Sequence, residues 1–342
     1  MDNYNFAIIG CGRISSKHVE GILTNHGKIQ LVAASDIVYE KAEKLKRIYF
    51  EQTCNTINTY EDYKEMLTHE DINTVLIATP SGSHFEIAAY CMNQKKNTII
   101  EKPMAINDNQ AEELTAKSKN MGILLSVCHQ NRFNPSIQAL KKAITQKRFG
   151  RIFSGSVKIL WNRNKAYYDE AEWRGTFAYD GGCLMNQCIH AIDILLWLMD
   201  SDIERINAIT ENYFHNYIEA EDYGNIQLLF KNGSVGSIEG TVNTYDKNLF
   251  EQIIILGENG TVIIGGQAMN IVEVWKFKDD LDTLEEVQAK CNENIDNIYG
   301  FGHGALFRNF IETLEGTSSL MIDGKEASKS VKLISSVYKM NR

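Results

Sequence analysis

The sequence is poor in proline and lacks paired cysteines. Only three prolines occur among its 342 residues, too few for a long proline-rich linker. The seven cysteines are scattered and form no C-x-x-C pair, which indicates reduced thiols and argues against a disulfide framework or a zinc site. The histidines and acids also lack paired ligand spacing, so we expect no metal.

Long apolar runs and an excess of basic residues are missing too. No apolar run reaches the roughly 18 residues of a membrane span, and the first residues lack the basic start and apolar core of a signal peptide. The net charge of −9 argues against nucleic acid as a partner. We therefore expect a cytoplasmic protein that binds neither membrane nor nucleic acid, although a local basic cluster could bind a small anion.

A glycine-rich turn stands between the first apolar run and the first helical segment. It reads Gly10-Cys11-Gly12-Arg13-Ile14-Ser15. Gly10 allows a tight turn, and Gly12 lets the backbone approach a pyrophosphate at a helix N-terminus. Ser15 replaces the usual third glycine or alanine, so an ordinary glycine-rich turn is the alternative interpretation.

A second apolar run ends at Asp36, about 20 residues beyond the glycines, where an acid would bind the ribose hydroxyls of adenosine. A carboxylate there would repel a 2′-phosphate, and Ile37 and Val38 follow it without an arginine. The sequence thus favours NAD over NADP, with a simple turn residue as the alternative role for Asp36.

Strand and helix patterns alternate through the first third of the chain, which predicts βαβ units and a parallel sheet. Ligands bind beyond the carboxyl ends of such strands. The polar residues expected to converge there are Thr79, Pro80, Ser81, His84, Glu101, Lys102, Pro103, His129, Gln130, Asn131 and Arg132.

The rest of the chain carries seven β-prone runs separated by turn signals. The predicted fold is therefore α/β plus α+β. A Rossmann dinucleotide-binding domain spans 1–123, and a domain on a large, mostly antiparallel sheet with helices on one face spans 124–342, its last helix able to return to the first domain. The uncovered face of that sheet predicts a homo-oligomer, a dimer or a tetramer.

Two segments of the second domain are chemically dense. The apolar segment from 180 predicts a helix with Asn186, His190 and Asp193 on one stripe, and His190 is either a catalytic base or a satisfied core histidine. The segment 161–182 sets Arg163, Lys165 and Arg174 among aromatic residues. It could hold phosphates and stack on a base or a sugar, or form a solvated charged loop.

Together these motifs resemble the glucose–fructose oxidoreductase, inositol dehydrogenase and MocA family of NAD(P)-dependent sugar dehydrogenases. The resemblance rests on IIGCGRIS, Asp36, ATPSGSH, EKPMA, WRG, DGG, HAID and the ending DGKEASKSVKLISSVY, and it covers nearly the whole chain. HQNRFNPSIQALKKAITQKRFGRI and WNRNKAYYDEAEWRG are most similar to the bacterial 3-dehydrogenases of UDP-N-acetylglucosaminuronic acid, the WlbA and WbpB type. Asn186 stands where many family members carry an aspartate, and the subgroup shares this departure.

The resemblance implies oxidation of the 3-hydroxyl of the sugar to a ketone, with NAD as cofactor, for lipopolysaccharide or other surface polysaccharide. It implies His190 as general base and Lys102 as electrostatic partner, with reversed roles as a close second and a structural role for Asp193. The two side chains are expected to meet at the nicotinamide.

The resemblance also assigns further residues. The cofactor would be bound by Gly10, Gly12, Arg13, Ile14, Asp36, Thr79, Pro80, Ser81, His84, Glu101, Lys102, Gln130, Trp173 and Arg174. Substrate candidates are Arg163, Lys165, Tyr168, Asn186, His190, Lys247, Asn248 and His303. Two alternatives stay open: a dehydrogenase of a free sugar or polyol, and a NAD-binding regulator without catalysis.

Overall fold

A computed structural model describes residues 3–292 and 302–341. Its contacts divide the chain into two compact units, one of residues 1–130 and 301–328 and the other of residues 131–300 and 329–342. The domain ranges expected from the sequence, 1–123 and 124–342, stay a prediction.

The first unit is built on a parallel sheet of six strands in the order β3-β2-β1-β4-β5-β6. Its elements are β1 (Tyr4–Ile9), α1 (Ser15–Leu23), β2 (Ile29–Ser35), α2 (Tyr39–Thr53), β3 (Asn58–Tyr60), α3 (Tyr63–His69), β4 (Thr74–Ile77), α4 (His84–Asn93), β5 (Asn97–Ile100), α5 (Asp108–Met121) and β6 (Leu125–Val127).

The strand order explains where the first unit can bind a ligand. Phe6, Ala7 and Ile8 of β1 are fully buried, as a strand covered by helices on both faces of a parallel sheet must be. The chain leaves β1 toward β2 on one side and reaches β4 on the other, so the carboxyl ends of β1 and β4 flank the point where the strand order reverses. A crevice for a ligand forms at such a point.

The second unit is built on a sheet of seven strands. Its elements are α6 (Pro135–Thr145), β7 (Ile152–Leu160), α7 (Lys165–Asp169), α8 (Ile189–Met199), β8 (Ile203–Glu211), β9 (Tyr223–Phe230), β10 (Val235–Thr241), β11 (Phe250–Gly257), β12 (Gly260–Gly265), β13 (Ile271–Phe277) and α9 (Leu284–Cys291). The helices α10 (Gly302–Leu314) and α11 (Gly324–Met340) complete the chain.

The seven strands run in the order β13-β12-β11-β7-β10-β9-β8. Only the pair β7 and β10 is parallel among these neighbours, and the others are antiparallel. The helix α8 packs on β7 and β11. Both sheets confirm the predicted fold class, and each of the seven β-prone runs forms a strand.

The helix expected from position 180 differs from the prediction in one respect. Residues Cys183–Gln187 form a single π turn, in which the N–H of Cys188 donates to the carbonyl of Cys183 at 3.0 Å, and α8 begins only at Ile189. A π turn holds an additional residue, so Asn186 is not on the regular helical stripe of His190. Gly240 lies beneath this turn, where a Cβ atom would come within 2.4 Å of Cys188 Sγ.

Within residues 3–292 and 302–341, no helix combines the length and the apolar composition needed to cross a bilayer.

Candidate active site

The glycine-rich turn has the geometry of a phosphate cradle. Gly10 has φ +93°, and a Cβ atom on it would lie 2.6 Å from the backbone carbon of Ala78, so only glycine fits. A Cβ atom on Gly12 would meet no protein atom within 4 Å. The turn leads directly into α1, whose first N–H groups favour an anion. These features fit a dinucleotide whose pyrophosphate lies over Gly12.

Asp36 lies beside this turn, as the sequence predicts. Its two carboxylate oxygens accept hydrogen bonds from the N–H groups of Cys11, at 2.8 Å, and Val38, at 2.9 Å. Each oxygen keeps a further lone pair, and the residue is half-buried. The carboxylate is therefore fixed and able to accept hydrogen bonds from ribose hydroxyls.

A cavity of about 390 Å³ adjoins the glycine turn. It extends from α1 to α2, and it is lined by Cys11, Gly12, Arg13, Ser15, Ser16, Lys41, Lys44, Leu45 and Ile48. Arg13 and Ile14 thus belong to the turn that borders this space, where Arg13 is exposed.

The ends of β4 and β5 are tied together by His84. Its Nδ1 atom lies 2.7 Å from the carbonyl oxygen of Pro103, and its Nε2 atom lies 2.9 Å from that of Thr79. The ring is buried. This placement favours a structural role for His84, which holds the segment of Thr79, Pro80 and Ser81 against the segment that carries Lys102.

Glu101 is buried against two histidines. Its Oε1 atom lies 3.1 Å from His18 Nε2 and 3.7 Å from His303 Nε2, and the two imidazole rings pack edge to face. Burial alone would raise the pKa of Glu101, yet the neighbouring imidazoles of His18 and His303 outweigh it and hold that pKa well below its usual range. A buried, ionised carboxylate therefore precedes Lys102.

Lys102 follows β5 and is half-buried. Its backbone N–H donates to Glu101 Oε2 at 3.2 Å, and the Lys102–Pro103 peptide bond is cis. Gln130 is buried, and its carbonyl oxygen lies beneath Gly302, where a Cβ atom would come within 2.4 Å. His303, one residue further, is buried against Glu101 rather than exposed, which favours a structural role over the predicted contact with substrate.

In the second unit, Arg163 lies between aromatic rings. The guanidinium carbon is 4.7 Å from the ring centre of Trp161 and 5.1 Å from that of Tyr167. Its NH1 group donates to the carbonyl of Asn162 and, at 3.1 Å, to Asn248 Oδ1. The side chain is thus held in one orientation and stays partly accessible.

A second arginine contacts the same tyrosine. Arg174 NH1 donates to the hydroxyl of Tyr167 at 2.5 Å, and Gln187 Nε2 donates to that hydroxyl at 3.0 Å. The guanidinium carbon of Arg174 also lies 4.7 Å from the ring centre of Trp173. The structure therefore brings together two cations and three aromatic rings, as the sequence predicts for segment 161–182.

Tyr168 points into the protein rather than toward these cations. It is buried, and it contacts Tyr167, His215 and Tyr217. His215 in turn lies 2.9 Å from Asp222, whose carboxylate also accepts three backbone N–H groups. Tyr168 is thus packed against Tyr167, and its predicted substrate contact stays a prediction.

Lys165 and Lys247 are exposed. Lys165 forms an ion pair with Asp169 one turn along α7, while Asn248 accepts hydrogen bonds from Asn162 and Arg163. Asn248 therefore positions Arg163, and the expected substrate contacts of the two lysines stay predictions.

The three polar residues of the expected stripe have different surroundings. Asn186 and His190 are half-buried, and Asn186 Nδ2 donates to the carboxylate of Asp180. Asp193 is buried and accepts two hydrogen bonds from Arg132. Asp193 is therefore structural, as the sequence suggests, while Asn186 and His190 stay accessible.

The sequence assigned no site role to His18, Asp180 or Gln187, and it indicated Tyr167 only as one of the aromatic residues of segment 161–182. His18 is a buried polar residue in α1, and a buried polar side chain usually has a polar partner. Tyr167 is adjacent to the predicted Tyr168, and only the side-chain directions distinguish the two. Nothing in the local sequence pairs Asp180 with Asn186.

Comparisons with known proteins agree with this architecture. Residues 4–129 match the family model described as the oxidoreductase family, NAD-binding Rossmann fold, and residues 137–263 match the GFO/IDH/MocA C-terminal domain. The WlbA dehydrogenase from Bordetella pertussis, solved with NADH and UDP-GlcNAcA, is 33% identical with a TM-score of 0.88, over 99% of this chain and 95% of that one. The chain belongs to the GFO/IDH/MocA family of oxidoreductases.

Two further relatives indicate the range of substrates. The WlbA dehydrogenase from Chromobacterium violaceum, also solved with NADH and UDP-GlcNAcA, is 34% identical with a TM-score of 0.87, over 98% of this chain and 93% of that one. The scyllo-inositol 2-dehydrogenase (NADP(+)) IolW from Bacillus subtilis is 24% identical, over the whole of this chain and 95% of its own length. The protein is a NAD-dependent oxidoreductase.

Proposed function

We propose that the protein oxidises the 3-hydroxyl of a UDP-linked N-acetylglucosaminuronic acid to the 3-keto sugar, in the cytoplasm, for surface polysaccharide. The observation that carries this proposal is Arg163, which lies beside Trp161 and Tyr167, with Arg174 4.1 Å from the ring centre of Tyr167. A rigid guanidinium is suited to phosphate and carboxylate oxygens, and aromatic rings stack on a base or a sugar. The two WlbA structures with UDP-GlcNAcA support the same substrate class.

The chemistry requires a base and a stabilised oxygen. NAD, when bound, supplies the hydride acceptor. His190 removes the hydroxyl proton, since an imidazole has an ordinary pKa close to neutral pH. The ammonium group of Lys102 donates a hydrogen bond to the reacting oxygen and stabilises the charge that develops there. The reverse assignment, with Lys102 as base, is the close second.

A second candidate substrate is a free polyol such as scyllo-inositol. The inositol dehydrogenases among the relatives favour it, and such a substrate has no phosphate for Arg163 to bind. The nucleotide sugar therefore requires Arg163 for binding, whereas the free polyol does not.

The test compares the two substrates. Purified protein is mixed with NAD⁺ and either UDP-N-acetylglucosaminuronate or scyllo-inositol, and the formation of NADH is followed by its absorbance. Turnover of the nucleotide sugar, with a KM raised about tenfold or more in Arg163→Gln, is the expected result. Arg151→Gln, which changes an exposed arginine, is the matched control, and Lys165→Gln tests the predicted role of that lysine.

Two outcomes would contradict the proposal. Turnover of scyllo-inositol alone, unaffected by Arg163→Gln, would favour the polyol dehydrogenase. Lys102→Ala and His190→Ala variants that bind NAD⁺ normally and preserve every cellular phenotype would favour a regulator.

We also propose a homo-oligomer through the seven-stranded sheet, and light scattering of the purified protein would detect a monomer if this is wrong.

A further inference from the structure

Asp180 is a buried acid that is hydrogen-bonded to Asn186. It is 2% exposed, and its carboxylate accepts hydrogen bonds from the N–H of Gly175, at 2.7 Å, and from Asn186 Nδ2. Its own N–H and that of Gly181 donate to the carbonyl of Thr176. The loop between Gly175 and Gly181 therefore holds the carboxylate in one place.

The carboxylate decides how the amide of Asn186 is oriented. An ionised carboxylate only accepts hydrogen bonds, whereas an amide group donates through its nitrogen and accepts through its oxygen. The nitrogen of Asn186 must face Asp180, and its oxygen must point the opposite way. A charged acceptor makes this hydrogen bond stronger than a neutral one, so the orientation is well determined.

Asn186 lies four residues before His190, the proposed base. Asn186 belongs to the π turn of Cys183–Gln187, and α8 follows at once with His190 in its first turn. Both side chains are half-buried. A π turn within a helix frequently marks a functional site, because it presents a side chain that a regular helix would turn elsewhere.

The charge of Asp180 also acts on the neighbouring cluster. Burial and then the negative charge of Asp180 raise the pKa of Tyr167, whose hydroxyl accepts hydrogen bonds from Arg174 and Gln187. Asp180 is thus within electrostatic reach of the aromatic and basic segment as well as of Asn186.

We propose that Asp180 is a positioning residue for the reaction: it holds the Asn186 amide so that Asn186 Oδ1 accepts a hydrogen bond from a hydroxyl of the substrate. Asn186 then orients the sugar or polyol, and Asp180 acts on the substrate through Asn186. This inference rests on the proposed function, because it requires His190 to be the base beside which the substrate hydroxyl is held.

Exchanging the acid and the amide between positions 180 and 186 tests this proposal. In Asp180→Asn, one amide oxygen must serve both Gly175 and Asn186, so the orientation is lost and kcat should fall about 10- to 100-fold, with the KM for NAD⁺ unchanged. In Asn186→Asp, two carboxylates meet, one pKa rises, and the pH profile of kcat should change. The double variant restores one carboxylate and one amide, and its kcat should exceed that of both single variants.

The control is Asp200→Asn, an exposed residue at the end of α8, which should leave kcat unchanged. A substrate-independent readout is hydrogen exchange of the Asn186 side-chain amide in ¹⁵N-labelled protein, assigned by its loss in Asn186→Ser. We expect slow exchange in the wild type and in Asp200→Asn, and fast exchange in Asp180→Asn.

The inference is overturned if Asp180→Asn keeps its kcat and pH profile within about twofold of wild type, or if the double variant is no better than the single ones. Fast exchange of the amide in the wild type would also overturn it. A wild-type chain that oxidises neither UDP-N-acetylglucosaminuronate nor scyllo-inositol contradicts the proposed function instead, and the exchange measurement then decides separately whether Asp180 orients Asn186.

Discussion

Asp193 and Arg132 form a buried ion pair in which the guanidinium donates two hydrogen bonds of 2.7 Å to the carboxylate. Both side chains are about 1% exposed, and the guanidinium carbon lies 5.0 Å from the ring centre of Trp197. The acid that follows the proposed base by three positions therefore fixes α8 to the segment that precedes α6, and His190 is presented by a helix that this pair holds in place.

Breaking this pair should destabilise the protein. Asp193→Asn leaves a buried guanidinium without its counter-charge, and we expect the free energy of unfolding to fall by about 3 kcal/mol, measured by urea denaturation. Asp200→Asn is the control. The folded fraction of Asp193→Asn should keep most of its kcat; a stable but inactive variant would show that Asp193 acts on His190 instead.

The two glycines of the cradle should respond differently to alanine. Gly10→Ala places a Cβ atom against the backbone of Ala78 at a positive φ, so it should lower stability by about 2 kcal/mol or more. Gly12→Ala meets no protein atom, so its melting temperature should stay near that of the wild type.

Binding of NAD⁺ then separates the roles of these glycines. Gly12→Ala should weaken it by about tenfold or more, since the methyl group occupies the space of the pyrophosphate. Isothermal titration with NAD⁺ provides the measurement, and unchanged affinity in Gly12→Ala would place the pyrophosphate elsewhere.

The buried carboxylate of Glu101 should make stability depend on pH. Because its pKa is lower in the folded protein than in the unfolded chain, it stabilises the fold above the unfolded pKa of about 4.3, and this contribution is lost as pH falls through the folded pKa. Glu101→Gln should therefore be much less stable than wild type at pH 7, and the difference should shrink in acid.

Two comparisons sharpen this prediction. Glu113→Gln, which changes an exposed acid on α5, should have no such effect. His18→Gln should lower the free energy of unfolding more than His303→Gln does, because the His18 nitrogen lies closer to Glu101. If Glu101→Gln and wild type were equally stable from pH 7 down into acid, the carboxyl group of Glu101 would be neutral in the folded state.

Glu221 should have the opposite pH dependence. Burial raises its pKa to about 8, while its carboxyl accepts hydrogen bonds from Leu184 and Tyr338. Between the unfolded pKa and about 8 the folded chain holds a proton that the unfolded chain has lost, so stability falls as pH rises through this window and the loss is complete above it.

Glutamine at position 221 removes this dependence. As pH rises from 5 to 9, the unfolding free energy of Glu221→Gln should increase relative to that of wild type by about 2 kcal/mol or more. The measurement is the unfolding free energy of both proteins at several pH values. Glu258→Gln, an exposed acid, serves as the control. A constant difference between Glu221→Gln and wild type over this range would disprove the raised pKa.

Local signals explain most of the secondary structure. Apolar runs with period two, bounded by glycine and asparagine, predict all seven strands of the second sheet, and β1 with its glycine turn predicts the cradle beside Asp36. The sequence did not predict the short strand β3 or the helices α2, α3, α7 and α9. The strand β3 has three residues and one paired edge, and α3, α7 and α9 have only five to eight residues.

The sequence by itself determined the two sheets, the turn at Gly10 and Gly12, and the acid at Asp36, because neighbouring residues create these features. Only the tertiary structure decided which polar groups pair. Glu101 meets His18 and His303, Asp193 meets Arg132, and the π turn before α8 brings Asn186 to Asp180. A buried charge takes whichever partner the fold brings within a few ångströms, and sequence periodicity, which describes one helix or strand at a time, carries no information about that distance.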